Sequence, residues 1–574
     1  MELSQFIKIA RGEAPADLLL KGGQIVNVFS GEVHEANIAI ADGRIVGVGG
    51  GFSAGGFTAN ETIDVTGKVI APGFLDAHVH IESSMVPPPE FARAVVPRGT
   101  TTVITDPHEI GNVLGLDGIR YMFDAAKYNP LSMFVMLPSC VPATDMETSG
   151  ATLRSYDIEP FKDNPWVLGL AEMMNYPGTI DGDPEVLAKI RLFKDKIIDG
   201  HAPGLTGLPL NAYVAAGIRS DHECTTVAEA REKLRLGMTI FIREGTTAHN
   251  LDALLPLITP ATSPRICWCT DDREPADLLD QGGIDYVIRR AIRQGIDPVT
   301  AIQIGTINPA SYYGLHDRGA ITPGRRADLV VLDNLRNVTT KMVLRGGAVV
   351  AQDGQLLPFE KPKRPARVRG SMNVNWDKIS FRIEAKGRRA NIIGVMPDQI
   401  VTEHLVEELT IENGEAVQDP GLDLLKIAVI DRHANTGAHT VGFVKGVGLR
   451  QGAIASSIAH DHHNLVVIGA DDVSMMTAAR AIAKTGGGLS VANKETVMAQ
   501  VPLPIAGLMS DQPIETVRAQ MDEALNAAHN LGALLHDPFM AMSFLALAVI
   551  PALKITDQGL VDVTKFQKVP LFVE

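Results

Sequence analysis

Cysteine is scarce in this sequence: Cys140, Cys224, Cys267 and Cys269 are the only four in 574 residues. So few thiols make no disulfide framework, and a reducing compartment is expected. The N-terminal Met1-Glu2-Leu3-Ser4-Gln5 lacks the basic-then-apolar pattern of a secretory signal, so a cytoplasmic location is predicted. No uninterrupted apolar run is long enough to span a bilayer. Blocks of Lys and Arg are missing, and the net charge is −15, which argues against nucleic acid or an anionic membrane as a partner. Aromatic residues make up only 5%. Glycine, in contrast, is plentiful at 54 residues, as suits a protein with many tight strand-to-helix turns. With 45% hydrophobic and 21% charged residues the chain is globular, and its length calls for two to four domains.

Short apolar bursts near the N-terminus predict a small antiparallel sheet, with hairpin turns at Gly22-Gly23 and Asp42-Gly43. A matching patch runs from Ala327 to Val350, as if completing the same sheet. Between the two patches, strand-like and helix-like segments alternate, which implies a parallel sheet. Eight candidate strands end near His78/His80, Asp106, Leu137, Glu172, His201, His222, Glu244 and Asp271. Helices are expected over 113–126, 184–196, 227–236 and 275–294. Eight such units in about 250 residues have the size of a TIM-like (β/α)8 barrel, with a doubly wound sheet as the runner-up. The predicted fold class is α/β. Residues 1–65 and 319–355 form the two parts of a β-sandwich, and 66–318 form the barrel inserted in it. Residues 356–372, with Pro358, Pro362 and Pro365, read as a linker before a C-terminal α/β domain over 373–574. That domain has predicted strands at 427–430 and 465–469 and helices at 472–485 and 514–531.

Metal-capable side chains recur at the predicted C-terminal ends of the barrel strands, the face where barrel enzymes keep their active sites. His78 and His80 are two apart on one strand and so point to the same side. Glu172, His201, His222 and Asp271 close four other strands. A charged group closing an apolar strand is costly unless paired or ligated. One such residue is an ordinary cap; six in a repeating pattern point to a metal site. Imidazoles with carboxylates suit Mn²⁺, Fe²⁺ or Zn²⁺ better than Mg²⁺ or Ca²⁺. The set suffices for two divalent ions sharing a bridge, which would lower the pKa of a water between them. Asp271 could take that water's proton and pass it to a leaving group. Asp272 is its rival, but alternation lets only one of the two face the barrel mouth, and Asp271 follows the strand directly.

Four stretches carry a resemblance: Asp76-Ala77-His78-Val79-His80-Ile81-Glu82-Ser83-Ser84, Asp106-Pro107-His108-Glu109-Ile110, Gly200-His201-Ala202-Pro203-Gly204 and Cys269-Thr270-Asp271-Asp272-Arg273. With the split sandwich and the C-terminal extension, they resemble the adenine deaminase family of the amidohydrolase superfamily across essentially the whole chain. Many superfamily members bridge their metals with a carboxylated lysine on the fourth strand. Here that strand ends in Glu172-Met173-Met174, and the resemblance implies Glu172 as the bridge. It implies hydrolysis of adenine to hypoxanthine and ammonia, with Mn²⁺ or Fe²⁺ as the metals and Zn²⁺ as the alternative. Asp271 would relay the proton. A glutamate would handle a ring nitrogen, so that charge building on the ring is neutralised. Glu82, Glu109, Glu223 and Glu244 are candidates, and Glu109 and Glu223 are preferred. Glu82, Ser83, Asp106 and His108 are expected to bind substrate. A homo-oligomer is expected. Two other readings stay open: an amidohydrolase acting on another heterocycle or cyclic amide, and a non-catalytic barrel scaffold.

Other signals are weaker. His80-Ile81-Glu82 spells the H-x-E of small zinc deaminases, but their P-C-x-x-C is absent. Cys267 and Cys269 read as buried structural thiols. Gly486-Gly487-Gly488 lacks the Gly-Lys-Ser/Thr of a phosphate loop and reads as a helix end. His460-Asp461-His462-His463 is dense enough for metal but has no evident partner cluster, so a surface or interface role at the catalytic mouth is expected.

Overall fold

The computed structural model describes residues 1–49, 56–127, 129–360, 368–397 and 399–573. At its centre stand eight parallel strands: β1 (Phe74–Val79), β2 (Thr100–Thr105), β3 (Ser132–Leu137), β4 (Val167–Met173), β5 (Ile197–Gly200), β6 (Ser220–Asp221), β7 (Thr239–Arg243) and β8 (Ile266–Cys269). β1 to β5 pair in order, as do β6 to β8. The Arg219 amide donates to Ile198 O at 3.0 Å between the two sets. At the other junction Asp271 N donates to His78 O at 3.0 Å and His80 N to Asp271 O at 3.1 Å. The sheet is therefore a closed barrel, and the doubly wound alternative falls away. Its strands are buried on both faces, as crossover helices require. Cys267 and Cys269 pack inside it with Leu75, Ala77 and Met136, as free thiols.

Two helices are shorter than the apolar periodicity suggests. The segment over 113–126 breaks at Gly115 (φ 60°) into His108–Leu114 and Leu116–Ala126. The segment over 275–294 breaks at Gly282-Gly283 into Pro275–Asp280 and Ile284–Arg293. Gly282 sits at φ 115°, a backbone conformation that L side chains rarely adopt, so glycine suits the break.

A nine-stranded sheet draws on both flanks of the barrel. Val69–Pro72 is its seam, parallel to Ala16–Asn27 on one side and antiparallel to Leu329–Leu332 on the other. That strand belongs to this sheet, and the chain enters β1 one residue later. Asp42-Gly43 makes the expected hairpin turn, both residues at positive φ. Gly22-Gly23 does not: Ala16–Asn27 runs on as one strand with a bulge there. Glycine serves bulges as readily as turns, and the sequence pattern is the same for both.

The C-terminal domain carries a second nine-stranded sheet, mostly antiparallel, including Leu425–Ile430 and Leu465–Gly469. Helices Asp472–Lys484 and Ile514–Asn530 cover it. Gly486, Gly487 and Gly488 all have positive φ where the first helix ends and the next strand begins. Most of the basic part of the linker, including Lys361, Pro362, Lys363, Arg364 and Pro365, lies outside the described residues. One apolar core runs without a break from Val79 and Phe91 of the barrel to Met521 and Phe539 of this domain. Ion pairs stitch the rim: Arg93 with Glu515 at 2.8 Å and Arg518 with Asp280 at 2.8 Å. Among the described residues, no helix is long and apolar enough to cross a membrane.

Candidate active site

Strand alternation and apolar packing bring the C-terminal ends of β1, β4, β5, β6 and β8 to one buried point. The His78 and His80 rings lie side by side, centroids 4.7 Å apart. Glu172 stands between two groups of imidazoles. Its Oε1 is 3.2 Å from His80 Nε2 and 3.9 Å from His78 Nε2. Its Oε2 is 2.7 Å from His201 Nδ1 and 3.0 Å from His222 Nε2. One carboxylate thus presents a separate oxygen to each group, as a bridge between two centres requires. Burial would raise its pKa, but His201 and His222 hold it well below the usual carboxylate range.

Asp271 completes the arrangement with Oδ1 3.2 Å from both His78 Nε2 and His80 Nε2. It follows β8 at φ 56°, a left-handed backbone that is uncommon outside glycine. That twist turns its side chain into the mouth while its backbone pairs with β1. Asp272 also lines the cavity, contrary to the expectation that alternation admits only one of the pair, because the left-handed turn at Asp271 breaks the alternation; it accepts a hydrogen bond from Ser83 Oγ. The neighbours differ electrically as well. Against the cost of burial, Arg243 and the two imidazoles keep Asp271 well below its ordinary pKa. Burial and the Asp271 charge push Asp272 up.

Arg243 is a residue the sequence pattern did not single out. It is buried at the end of β7, with Nη1 2.8 Å from Asp271 Oδ2 and Nη2 3.1 Å from Glu223 Oε2. It therefore holds two of the predicted carboxylates ionised at once; Glu223 is lowered by Arg243 first, then by His201 and His222. The signal was available: β7 ends in Arg243-Glu244, two charges after an apolar run. Glu244, the candidate from that strand, turns away to accept from Arg290 at 2.5 Å and His249 at 3.1 Å.

The predicted substrate-binding residues divide. His108 lines the cavity, 3.5 Å from Glu172. Glu82, Ser83 and Asp106 do not line it. After His80 the chain turns through a 3-10 helix, Ile81–Ser84, which carries Glu82 behind the wall to accept from Ile110 N at 3.3 Å. Asp106 accepts from the His108 backbone N–H at 3.1 Å and ring Nδ1 at 2.9 Å, so it orients that imidazole from behind.

Glu109 faces the C-terminal domain. His460 Nδ1 donates to its Oε1 and His463 Nε2 to its Oε2. The His460-Asp461-His462-His463 segment is buried at the mouth, so it is no surface feature, and its partner cluster is in the barrel. The cavity is walled by His460, Asp461 and the apolar Ile400, Phe544, Leu547 and Ile550 of that domain. Phe544 stacks on His460 at 4.6 Å and 9°.

The donor set suits divalent metals. Three overlapping buried groups, His80/Asp106/His108/Glu172, His78/His222/Asp271 and Glu172/His201/His222, each keep their potential ligand atoms within 4.8 Å of one another. His78 Nε2 and His201 Nε2 are buried and make no hydrogen bond among the described residues, as nitrogens reserved for a ligand would.

Comparison with known proteins adds independent evidence. The amidohydrolase family model matches residues 69–350, and the adenine deaminase C-terminal domain model matches 399–567. An adenine deaminase of Desulfatibacillum aliphaticivorans is 52% identical over 99% of both chains. One from Methanothrix thermoacetophila is 50% identical over 100% of both. Among solved structures, the β-aspartyl dipeptidase of Fervidobacterium islandicum AW-1 aligns with 60% of this chain and 99% of its own, at 18% identity and a TM-score of 0.46, a likeness too loose to argue from.

Proposed function

The chain belongs to the adenine deaminase family of the amidohydrolases, and on that footing we propose that its buried site hydrolyses adenine to hypoxanthine and ammonia. The observation that carries the reading is the ligand geometry: one glutamate offering an oxygen to each of two imidazole groups, closed by Asp271. His78, His80, Glu172, His201, His222 and Asp271 would hold two divalent cations, Mn²⁺ or Fe²⁺. Such a pair, when bound, supplies an acidified water and charge stabilisation near neutral pH.

The chain's own groups then divide the work. Water adds to C6 of the purine. Asp271, ionised beside Arg243, takes its proton and delivers it to the departing amine. As C6 becomes tetrahedral, ring nitrogen N1 takes a proton relayed through Glu109 from His460, and the C6 hydroxyl returns one when the carbonyl forms; the hydrogen bonds to His460 and His463 fix the position of Glu109. Glu223, beside His201 and His222 and locked by Arg243, keeps the opposite side of the site ordered and charged. The apolar wall of the C-terminal domain keeps bulk water out, which strengthens each of these interactions.

The test is ammonia release from adenine by enzyme loaded with Mn²⁺ or Fe²⁺, with metal content measured on the same sample. Two metal equivalents with stoichiometric hypoxanthine are expected. Turnover of a hydantoin or lactam with no purine reaction would replace adenine with another cyclic substrate. Metal without any hydrolysis would leave a binding scaffold.

A further inference from the structure

Two buried polar atoms on cavity-lining residues of the C-terminal domain make no hydrogen bond among the described residues. His460 is 3% exposed, Asp461 2%, and both line the cavity opposite the carboxylate-imidazole cluster. His460 Nδ1 is committed to Glu109, which leaves Nε2 at the other end of the ring; that atom is buried and makes no hydrogen bond among the described residues. Asp461 has Oδ1 3.6 Å from His108 Nε2, and its Oδ2 is buried without a hydrogen bond among the described residues. Buried polar atoms left unpaired are costly, and groups this well enclosed normally have a partner. Here the two are on adjacent residues. Burial works against the charged ring, but the Glu109 carboxylate holds His460 in its protonated form, in which Nε2 carries a proton as well as Nδ1 and is a donor. Asp461 is an acceptor.

We infer that His460 and Asp461 together read the far edge of a free purine base, Nε2–H donating to N3 and the Asp461 carboxylate accepting from N9–H. This rests on the adenine deaminase reading above. Glu109, the His460 ring bonded to it and Asp461 all line the cavity, and N1, N3 and N9 lie along one side of adenine. With C6 turned to the barrel floor, N1 meets Glu109, and N3 and N9–H fall to the C-terminal domain. Phe544, stacked on His460, holds the ring so that its nitrogen lies where the purine edge arrives. An acceptor at N9–H excludes a nucleoside twice, since a glycosylated N9 has no proton to donate and a sugar in the donor's place. A site built around a hydrogen bond rejects the analogue that lacks it far more strongly than an apolar pocket rejects a methyl group. His460 and Asp461 would thus determine specificity, and Glu109 is a positioning residue for His460 as well as the group at N1.

The unmodified enzyme tests this through competitive inhibition of adenine deamination. 7-Deazaadenine keeps N3 and N9–H and should bind within about tenfold of adenine; 3-deazaadenine and 9-methyladenine should each bind at least about 100-fold more weakly. Asp461→Ala should raise KM for adenine much more than it lowers kcat, and should collapse the preference for adenine over 9-methyladenine to about tenfold or less. His460→Phe, which keeps the stack on Phe544, should erase the preference for adenine over 3-deazaadenine. Equal inhibition by all three analogues overturns the inference even if the variants do not fold. So does an unchanged preference in variants that fold and retain metal. A wild-type enzyme that releases no ammonia from adenine overturns the underlying reading instead, and the inference with it.

Discussion

Two histidine-rich stretches meet in this site, and they were made by different means. His78-Val79-His80 lies on a barrel strand, where alternation alone points both rings to one side. His460-Asp461-His462-His463 lies in an irregular turn of another domain, and its side chains diverge. His460 and His463 reach Glu109, while His462 turns away and its Nδ1 accepts from Asn464 N at 2.9 Å. The electrical outcome diverges as well. Burial alone would lower both His460 and His462. Glu109, the main carboxylate against it, lifts His460 to about 9, whereas His462 has no such partner and is pushed down to about 3. Burial without a counter-charge keeps a histidine neutral; the same burial beside a carboxylate keeps it charged. On the proposed reading the barrel stretch would ligate metal, and the C-terminal stretch would hold Glu109 and read the substrate.

That contrast can be broken most forcefully at the barrel. Asp271→Asn should retain metal and lose about 10³-fold in kcat, since it removes the proton carrier; near-normal ammonia release would refute that role. Glu172→Ala should lose at least one metal equivalent by elemental analysis, and unchanged content would remove it as the bridge. At the domain boundary the expected effect is smaller and of another kind. Glu109→Ala leaves two buried imidazole donors unpaired, a cost of about 1–3 kcal/mol each. It should lower the unfolding temperature and kcat together while metal content stays at two, and loss of metal would show that the two stretches are not distinct in function. The smallest effect is in pH dependence. His460 is raised in the folded state, so its stabilisation is complete below its unfolded pKa of about 6.5 and is lost as pH rises through about 9. Denaturant titrations should show His460→Gln flattening the fall in stability over that window. A parallel, merely shifted profile would mean the His460–Glu109 pair does not titrate there.

How much was legible follows from the same contrast. The barrel strand ends could be read because each apolar run closes on a charged or imidazole side chain, and the period of two says which way it points. That logic located His78, His80, Glu172, His201, His222 and Asp271. It had less hold at β7, where Arg243 and Glu244 adjoin and only the three-dimensional twist decides that Arg243 faces inward. It had none on Glu82, Ser83 and Asp106, which lie near the motif in sequence but are carried behind the wall by a 3-10 turn and by the His108 ring. The position of Asp461 depends on how two domains dock, over a core continuous between them, and no local pattern encodes that. Gly22-Gly23 failed for a simpler reason: φ above zero is shared by turns and bulges, so the residue type does not choose between them.

The seam strand Val69–Pro72 has a consequence for how the molecule is made. Its antiparallel partner, Leu329–Leu332, is encoded after the entire barrel. At ribosomal rates of roughly 5–20 residues per second, the nascent sheet waits on the order of tens of seconds with that edge unpaired. Completion of the sheet therefore reports that the barrel between has been synthesised and brought its two ends together. The strand that leads into His78 and His80 is also the one whose pairing closes the chain on itself.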